Sequence, residues 1–168
     1  MTNEFAGTIT DLNSQLNYVL SDNGRSRDGH TVFTLVSRRT GERFTFRVKH
    51  PNAFNEQTRK WETTNVWFVS VLNGSDNESD YQFIGTIFDR EVAPKFFSHS
   101  NKAKVSKSAP SFVAFNWYFK NLVDGNESAI AQIEFYHDGV CGRCGRALTV
   151  PESVSSGLGP ICASKMGV

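Results

Sequence analysis

Hydrophobic and polar residues alternate along TVFTLVSRRTGERFTFRVKH, which spans residues 31–50. A period of two predicts β-strands, and the Thr40-Gly41 dipeptide between the two runs predicts a two-residue hairpin turn. Such a turn would place Arg38 directly opposite Arg43 and would separate an apolar face from a face of threonines and arginines. The apolar face would carry Phe33, Leu35, Phe44, Phe46 and Val48.

The same alternation recurs further along the chain. NVWFVSVL and YQFIGTIF, residues 65–72 and 81–88, flank a polar tip and predict a second hairpin. AIAQIEFYH, residues 129–137, predicts a last strand that leads into the tail. Residues 51–61 are polar and residues 89–110 are rich in turn formers and lysine, so both stretches predict loops. The chain therefore predicts a meander of antiparallel strands.

Two stretches replace the period of two with helical spacing. Residues 8–20 carry apolar side chains three or four positions apart and predict a short amphipathic helix. Residues 109–123 repeat this spacing with bulky aromatic side chains and predict a longer helix. Ser108 is a suitable N-cap for it, and Asp124-Gly125 is a stop signal.

These elements together predict an α+β fold. An antiparallel β-sheet of about four or five strands would be covered by an α-helix at residues 109–123. This sheet domain would occupy residues 1–130, and a smaller module would follow at residues 131–168.

Composition narrows the class of protein. The 168 residues are 39% hydrophobic and 21% charged, as in ordinary globular proteins. No apolar run approaches the ~20 residues that a membrane-spanning helix needs, so a membrane protein is not expected. The N-terminus lacks the basic and apolar regions of a secretory signal, which predicts a reducing cytoplasm. The three cysteines would then be thiols or metal ligands, and an odd number cannot close a disulfide framework.

All three cysteines lie in the tail HDGVCGRCGRALTVPESVSSGLGPIC, residues 137–162. Cys141-x2-Cys144 has the spacing of a zinc knuckle, in which a tight turn directs two thiolates at one ion. Cys162 follows after 17 residues, behind a Gly-x-Gly-Pro turn that predicts the start of a helix. A knuckle followed by a cysteine at a helix start is the layout of a treble-clef-like zinc finger.

The fourth ligand has to come from another residue type, because a structural zinc ion normally takes four. His137 precedes Cys141 by four positions and would complete a set of one nitrogen and three sulfurs. Asp138 and a side chain from a distant loop are the alternatives. If all four ligands are protein groups, no position is left for water and the ion has a structural role.

Several segments of the chain, in order, resemble a family of uncharacterised bacteriophage and prophage proteins with a short Cys-rich C-terminal domain of unknown function. The segments are TLVSRRTGERFTFRVKH, FVSVLNGSDNESDYQFIGTIF, SAPSFVAFNWYF and the tail. The most specific motif is Cys-Gly-x-Cys-Gly-Arg-x-Leu-Thr-x-Pro-Glu-Ser followed by Gly-x-Gly-Pro-x-Cys. A histidine precedes the first cysteine in the family pattern too. The resemblance implies a phage origin and a zinc-binding tail, but no established activity. Together with the reducing cytoplasm expected from the N-terminus, a phage origin predicts a place in the host cytoplasm.

Charge limits how the protein could bind nucleic acid. Basic and acidic residues nearly balance, 18 against 17, so a binding surface has to be local. Cations cluster on the first hairpin, in the predicted loop at residues 89–110 and beside the cysteines. Trp61 lies in the predicted polar loop at residues 51–61 and could stack on a base. Most other aromatic residues have core periodicity and should be buried. The predicted nucleic-acid-binding residues are Arg38, Arg43, Arg47, Lys49, Trp61, Lys102, Lys104, Lys107, Arg143 and Arg146.

Two functions fit this pattern. The first is a phage accessory protein that binds nucleic acid through the basic sheet face, where the Arg38-Arg43 pair would repel unless an anion neutralised it. The second is an inhibitor of a host protein, such as a defence or transcription factor, acting through the finger or residues 51–65. No Ser-His-Asp arrangement, catalytic carboxylate pair or phosphate-binding loop is recognisable, so an enzyme is not predicted.

Overall fold

The computed structural model describes residues 7–21, 23, 30–90 and 93–168. The strands in this part of the chain are β1 Gly7–Thr8, β2 Thr31–Ser37, β3 Arg43–Lys49, β4 Asn52–Asn55, β5 Lys60–Thr63, β6 Val66–Leu72, β7 Tyr81–Arg90, β8 Ala93–His99 and β9 Ile133–His137. The helices are α1 Leu12–Val19, α2 Pro110–Val123, α3 Glu127–Ile130, α4 Pro151–Ser156 and α5 Pro160–Met166.

Seven of these strands form one antiparallel sheet in the order β1-β9-β2-β3-β6-β7-β8. An antiparallel sheet accompanied by helices confirms the predicted α+β class. The last strand, β9, is inserted between β1 and β2. Residues 133–137 therefore belong to the sheet, although the predicted boundary at residue 130 places them in the smaller module. The segment outside the sheet begins at Asp138, and residues 138–168 are called the tail from here on.

Two predicted loops contain strands. β8 lies within residues 89–110, and β4 pairs with β5 in a separate hairpin within residues 51–63. β8 is an edge strand, where proline and lysine are tolerated because one side makes no ladder hydrogen bonds. Most side chains of the β4–β5 hairpin are exposed, so no burial imposes an apolar alternation on it. Hydrophobic patterning therefore misses both elements.

The first hairpin is paired two positions away from its predicted register. Val36 lies opposite Arg43, and the predicted Arg38–Arg43 pair is wrong. The turn is longer than two residues: the Gly41 N–H donates to the Ser37 carbonyl at 2.9 Å, and Gly41 has a φ of +74°. Arg38 instead forms an ion pair with Glu134 of β9 at 3.2 Å. Because the shift is an even number, every side chain keeps its predicted face.

The helices pack on the apolar face of the sheet. From α2, the Phe115 ring lies 5.0 Å from Phe46 of β3, measured between centroids. From α1, Tyr18 packs edge-on against Phe135 of β9 at 5.7 Å. Asp11 caps α1 by accepting a 2.9 Å hydrogen bond from a backbone N–H in its first turn. No helix in the described part of the chain is long and apolar enough to span a bilayer.

Candidate functional site

The first part of the tail after β9 forms a tight turn that contains Cys141 and Cys144. Val140 and Ala147 form a β-bridge that closes the knuckle. Inside it, the Gly145 N–H donates to the Cys141 carbonyl at 2.9 Å, and Gly145 adopts a φ of +78° that only glycine takes readily. These hydrogen bonds hold the thiols of Cys141 and Cys144 on the same side of the turn.

Cys162 completes the cluster from α5. It is the third residue of this helix, and it brings its thiol back to the knuckle across the sequence gap. The sulfur atoms of Cys141, Cys144 and Cys162 lie within 4.8 Å of one another. Thiolates converging in this way suit a tetrahedrally coordinated soft or borderline divalent ion. The prediction that these three residues meet is confirmed.

The surroundings of Cys141 and Cys162 shift the pKa values of their thiols in opposite directions. Burial alone would raise the pKa of the Cys141 thiol, but backbone N–H groups, foremost that of Gly159 at 3.4 Å, lower it below its ordinary value. Burial raises the pKa of Cys162, and the Arg143 guanidinium, 3.8 Å from the Cys162 sulfur, offsets this only in part. Of these two thiols, Cys141 is therefore the better prepared to bind a metal as a thiolate.

His137 does not join the cluster, which corrects its assignment as the fourth ligand. It is buried in β9, and its Nδ1 atom accepts a 2.9 Å hydrogen bond from the Gly139 N–H. Nε2 therefore carries the proton and donates to the Val154 carbonyl at 2.7 Å. Both ring nitrogens form hydrogen bonds with backbone groups of the tail, so the imidazole holds the tail against β9. Asp138, the alternative ligand, lies outside the cluster as well and accepts from the Tyr18 hydroxyl at 3.3 Å.

The tail is fastened to the sheet domain beside α1. The Ser21 hydroxyl donates to the Gly142 carbonyl at 3.0 Å, and the Gly142 N–H donates to the Gly157 carbonyl at 2.9 Å. Gly157 ends α4 with a φ of +75°, close against the Tyr18 ring. The knuckle, α4 and α1 thus meet at one junction.

The predicted nucleic-acid-binding residues fall into separate groups. One group lies on β3 and consists of Arg43, Arg47 and Lys49. These side chains face away from the helices, since they alternate with side chains of β3 that pack toward α2, such as Phe46. Trp61 is 61% exposed on the β4–β5 hairpin. The three lysines lie in the connection from β8 to α2, three strands away from β3. Arg143 lies within the knuckle, between Cys141 and Cys144, and Arg146 follows it.

The register also assembles aromatic side chains that the sequence pattern had assigned to the core. We call the surface opposite α1 and α2 the open face. It carries Val32, Thr34, Val36, Arg43, Thr45, Arg47, Lys49, Val66, Phe68, Ser70, Leu72, Tyr81, Phe83, Thr86, Phe88, Phe96, Ser98, Glu134 and Tyr136. Phe68 is 39% exposed and contacts Phe83 at a centroid distance of 6.0 Å. The sequence contained a signal for this exposure, because Phe68 stands between Trp67 and Val69 in an alternating strand and so points to the face opposite theirs.

Contacts on the open face join its cations to its rings. The Arg47 guanidinium lies 4.2 Å above the Tyr81 ring and donates to the Glu78 carbonyl at 3.3 Å. Lys49 lies directly opposite Phe68 in the β3–β6 ladder. At the far edge, Arg90 lies 4.5 Å from the Phe96 ring.

Comparison with known proteins gives a match for the C-terminal part of the chain. Residues 132–167 match a family of unknown function, DUF6011. This match supports an uncharacterised family for the tail, which is the segment that carries the cysteines, and it does not extend to the rest of the chain. No curated protein and no solved structure matches the chain significantly.

Proposed function

We propose that this protein binds single-stranded nucleic acid on the open face of its sheet. The observation that carries the proposal is the line of cations along β3, Arg43, Arg47 and Lys49, with aromatic side chains on the neighbouring strands. Side chains two positions apart on one face of a strand are about 7 Å apart. A flexible polyanion crossing the sheet would meet several of these cations.

The aromatic rings favour a single strand over a duplex. Phe68 and Phe83 present edges and faces on which unpaired bases can stack, whereas the bases of a duplex are already stacked on each other. A nearly neutral protein gains little from long-range attraction, so stacking would supply much of the affinity. The half-buried Thr45 and Ser70 add hydroxyl groups for contacts to the sugar and phosphate.

For the tail we propose zinc as the ion, held by Cys141, Cys144 and Cys162 in a treble-clef-like module. Sulfur donors and the knuckle turn are the features that support it. The ion would stabilise the tail and keep it against α1. The resemblance to phage and prophage proteins supports a phage-encoded accessory protein that acts in the host cytoplasm.

The test is a binding titration with a fluorescently labelled single-stranded oligonucleotide and the matching duplex. We expect the single strand to bind more tightly, with an affinity that falls as salt is added. Phe68→Ala should weaken binding by about 1–3 kcal/mol through lost stacking. Arg43→Glu with Arg47→Glu should abolish it. Lys102→Glu with Lys104→Glu makes the same charge change outside the open face and is the matched control.

Equal loss of binding in both double variants would show that net charge alone governs binding, and would contradict a defined site. Absence of binding to either oligonucleotide at low salt would remove the proposed function altogether.

The β4–β5 hairpin favours a second candidate, binding to a host protein. Phe54 and Trp61 lie opposite each other on this hairpin, in edge-to-face contact at 5.5 Å, and both are more than 40% exposed. Paired exposed aromatic residues are typical anchors of protein interfaces. A nuclease-treated pull-down with the wild type and the Trp61→Ala variant distinguishes this function, since it predicts one stoichiometric partner that the variant loses.

A further inference from the structure

A groove of about 460 Å³ opens beside the thiol cluster. Cys141, Cys144 and Cys162 all line it, so an ion held among the sulfurs would face the groove. Within residues 7–21, 23, 30–90 and 93–168, no other His, Cys, Asp or Glu side chain joins these thiols. An ion held by the three thiols would keep one tetrahedral position open, and the groove that the same thiols line would offer space there for a small molecule or a side chain.

The groove has a distinct electrostatic character. Arg143, Arg146 and Lys165 line it, and its described lining contains no acidic residue. A divalent ion on three thiolates carries a net charge of minus one, which three neighbouring cations more than reverse. The site would therefore attract an anion to the fourth position.

The remaining walls of the groove are apolar. Leu148, Pro160 and Ile161 form them, and Ile161 is 66% exposed. Zinc accepts carboxylate oxygen as a ligand, and arginine pairs with carboxylates through two parallel hydrogen bonds. An aliphatic chain behind the carboxylate would contact the apolar walls.

We propose that the metal centre of the tail is an open site whose fourth ligand is a carboxylate with an aliphatic substituent, supplied from outside the described part of the chain. This inference rests on the proposed metal centre and is independent of nucleic-acid binding. The carboxylate could belong to a small molecule or to a partner protein, and both offer the same chemistry to the groove.

The experiment uses the full chain loaded with Co²⁺ under reducing conditions, because the visible absorption of tetrahedral cobalt reports on its ligands. Acetate, hexanoate and inorganic phosphate are the probes. We expect a saturable spectral change with both carboxylates, and about tenfold tighter binding of hexanoate, the gain expected when about two methylene groups leave water. An aspartate-containing peptide that reproduces the change would identify a protein source.

Variants test the role of the groove. Arg146→Gln with Lys165→Gln should weaken hexanoate binding about tenfold while the cobalt spectrum without ligand stays unchanged. Lys120→Gln, on the exposed side of α2, removes a positive charge elsewhere and should bind hexanoate as the wild type does.

The outcomes separate the two levels of the proposal. Failure to bind Co²⁺ would overturn the metal centre and this inference together. A tetrahedral cobalt spectrum that none of the probes alters would show that the protein closes the fourth position, and would overturn this inference alone. Phosphate binding more tightly than hexanoate would overturn the carboxylate assignment.

Discussion

The sheet domain and the tail are stabilised in different ways. In the sheet domain, one continuous cluster of buried aromatic and aliphatic side chains lies between the sheet and α1 and α2. The tail has a separate cluster whose buried members are Cys141, Leu158 and Cys162. Two of these three residues are the proposed metal ligands. The first region can be stable through hydrophobic burial, whereas the second has too little apolar surface for that.

Because the hydrophobic cluster of the tail is small, its proposed metal–thiolate bonds and its contacts with the sheet domain have different roles. Metal–thiolate bonds would replace the missing core, since zinc binding supplies about 10 kcal/mol or more to small modules. The contacts of Gly142 with Ser21, of Gly157 with Tyr18 and of Val154 with His137 fix the position of the module rather than its internal fold. The three predictions below separate these roles.

Removal of the metal should have the largest effect. Cys144→Ser, or a chelator, should abolish zinc binding and unfold residues 138–168 while the sheet stays folded, because the two hydrophobic clusters are separate. Elemental analysis and hydrogen exchange resolved by segment measure both results. Lowering the pH should release the ion in the same way, since protonated thiols do not bind it. Ser155→Ala, an exposed change in α4, is the control.

Loss of protection across the whole chain in the Cys144→Ser variant would show that the tail and the sheet unfold as one unit. The comparison between the two regions would then be wrong.

Crowding at the junction should have an intermediate effect. Gly157→Ala and Gly41→Ala both introduce a side chain at a φ near +75°, which costs about 1 kcal/mol in each case. A Cβ at Gly157 would also overlap the Tyr18 ring, whereas Gly41 faces open space. Denaturant unfolding should therefore show an additional loss of about 1–3 kcal/mol for Gly157→Ala. Equal losses would mean that the junction adapts to the methyl group.

Replacement of His137 should leave the metal in place. His137→Ala removes the donor to the Val154 carbonyl, and leaving this partly buried carbonyl without its partner costs about 1–3 kcal/mol. Zinc content measured on the purified variant should stay at the wild-type value, in contrast to Cys144→Ser. A variant that folds but has lost its zinc would restore the imidazole as a ligand.

Hydrophobic alternation was sufficient to assign most of the core. Side chains on a strand change faces at every step, so Phe33, Phe46 and Val48 were predicted to be buried although the register was wrong by two positions. The spacing of the cysteines likewise predicted their convergence, because a knuckle is a local turn.

Contacts between distant segments were decided by the tertiary structure. The Thr40-Gly41 dipeptide alone predicted a two-residue turn, whereas in the folded chain the turn is longer and β2 pairs with both β3 and β9. His137 resembled a ligand in sequence, yet in the folded chain its Nε2 donates to the Val154 carbonyl of α4 instead. A linear pattern records which side chains prefer to be buried or to bind metal. It does not record which neighbour the folded chain places beside them. For His137, that neighbour determined whether the imidazole binds the metal or forms hydrogen bonds with the backbone.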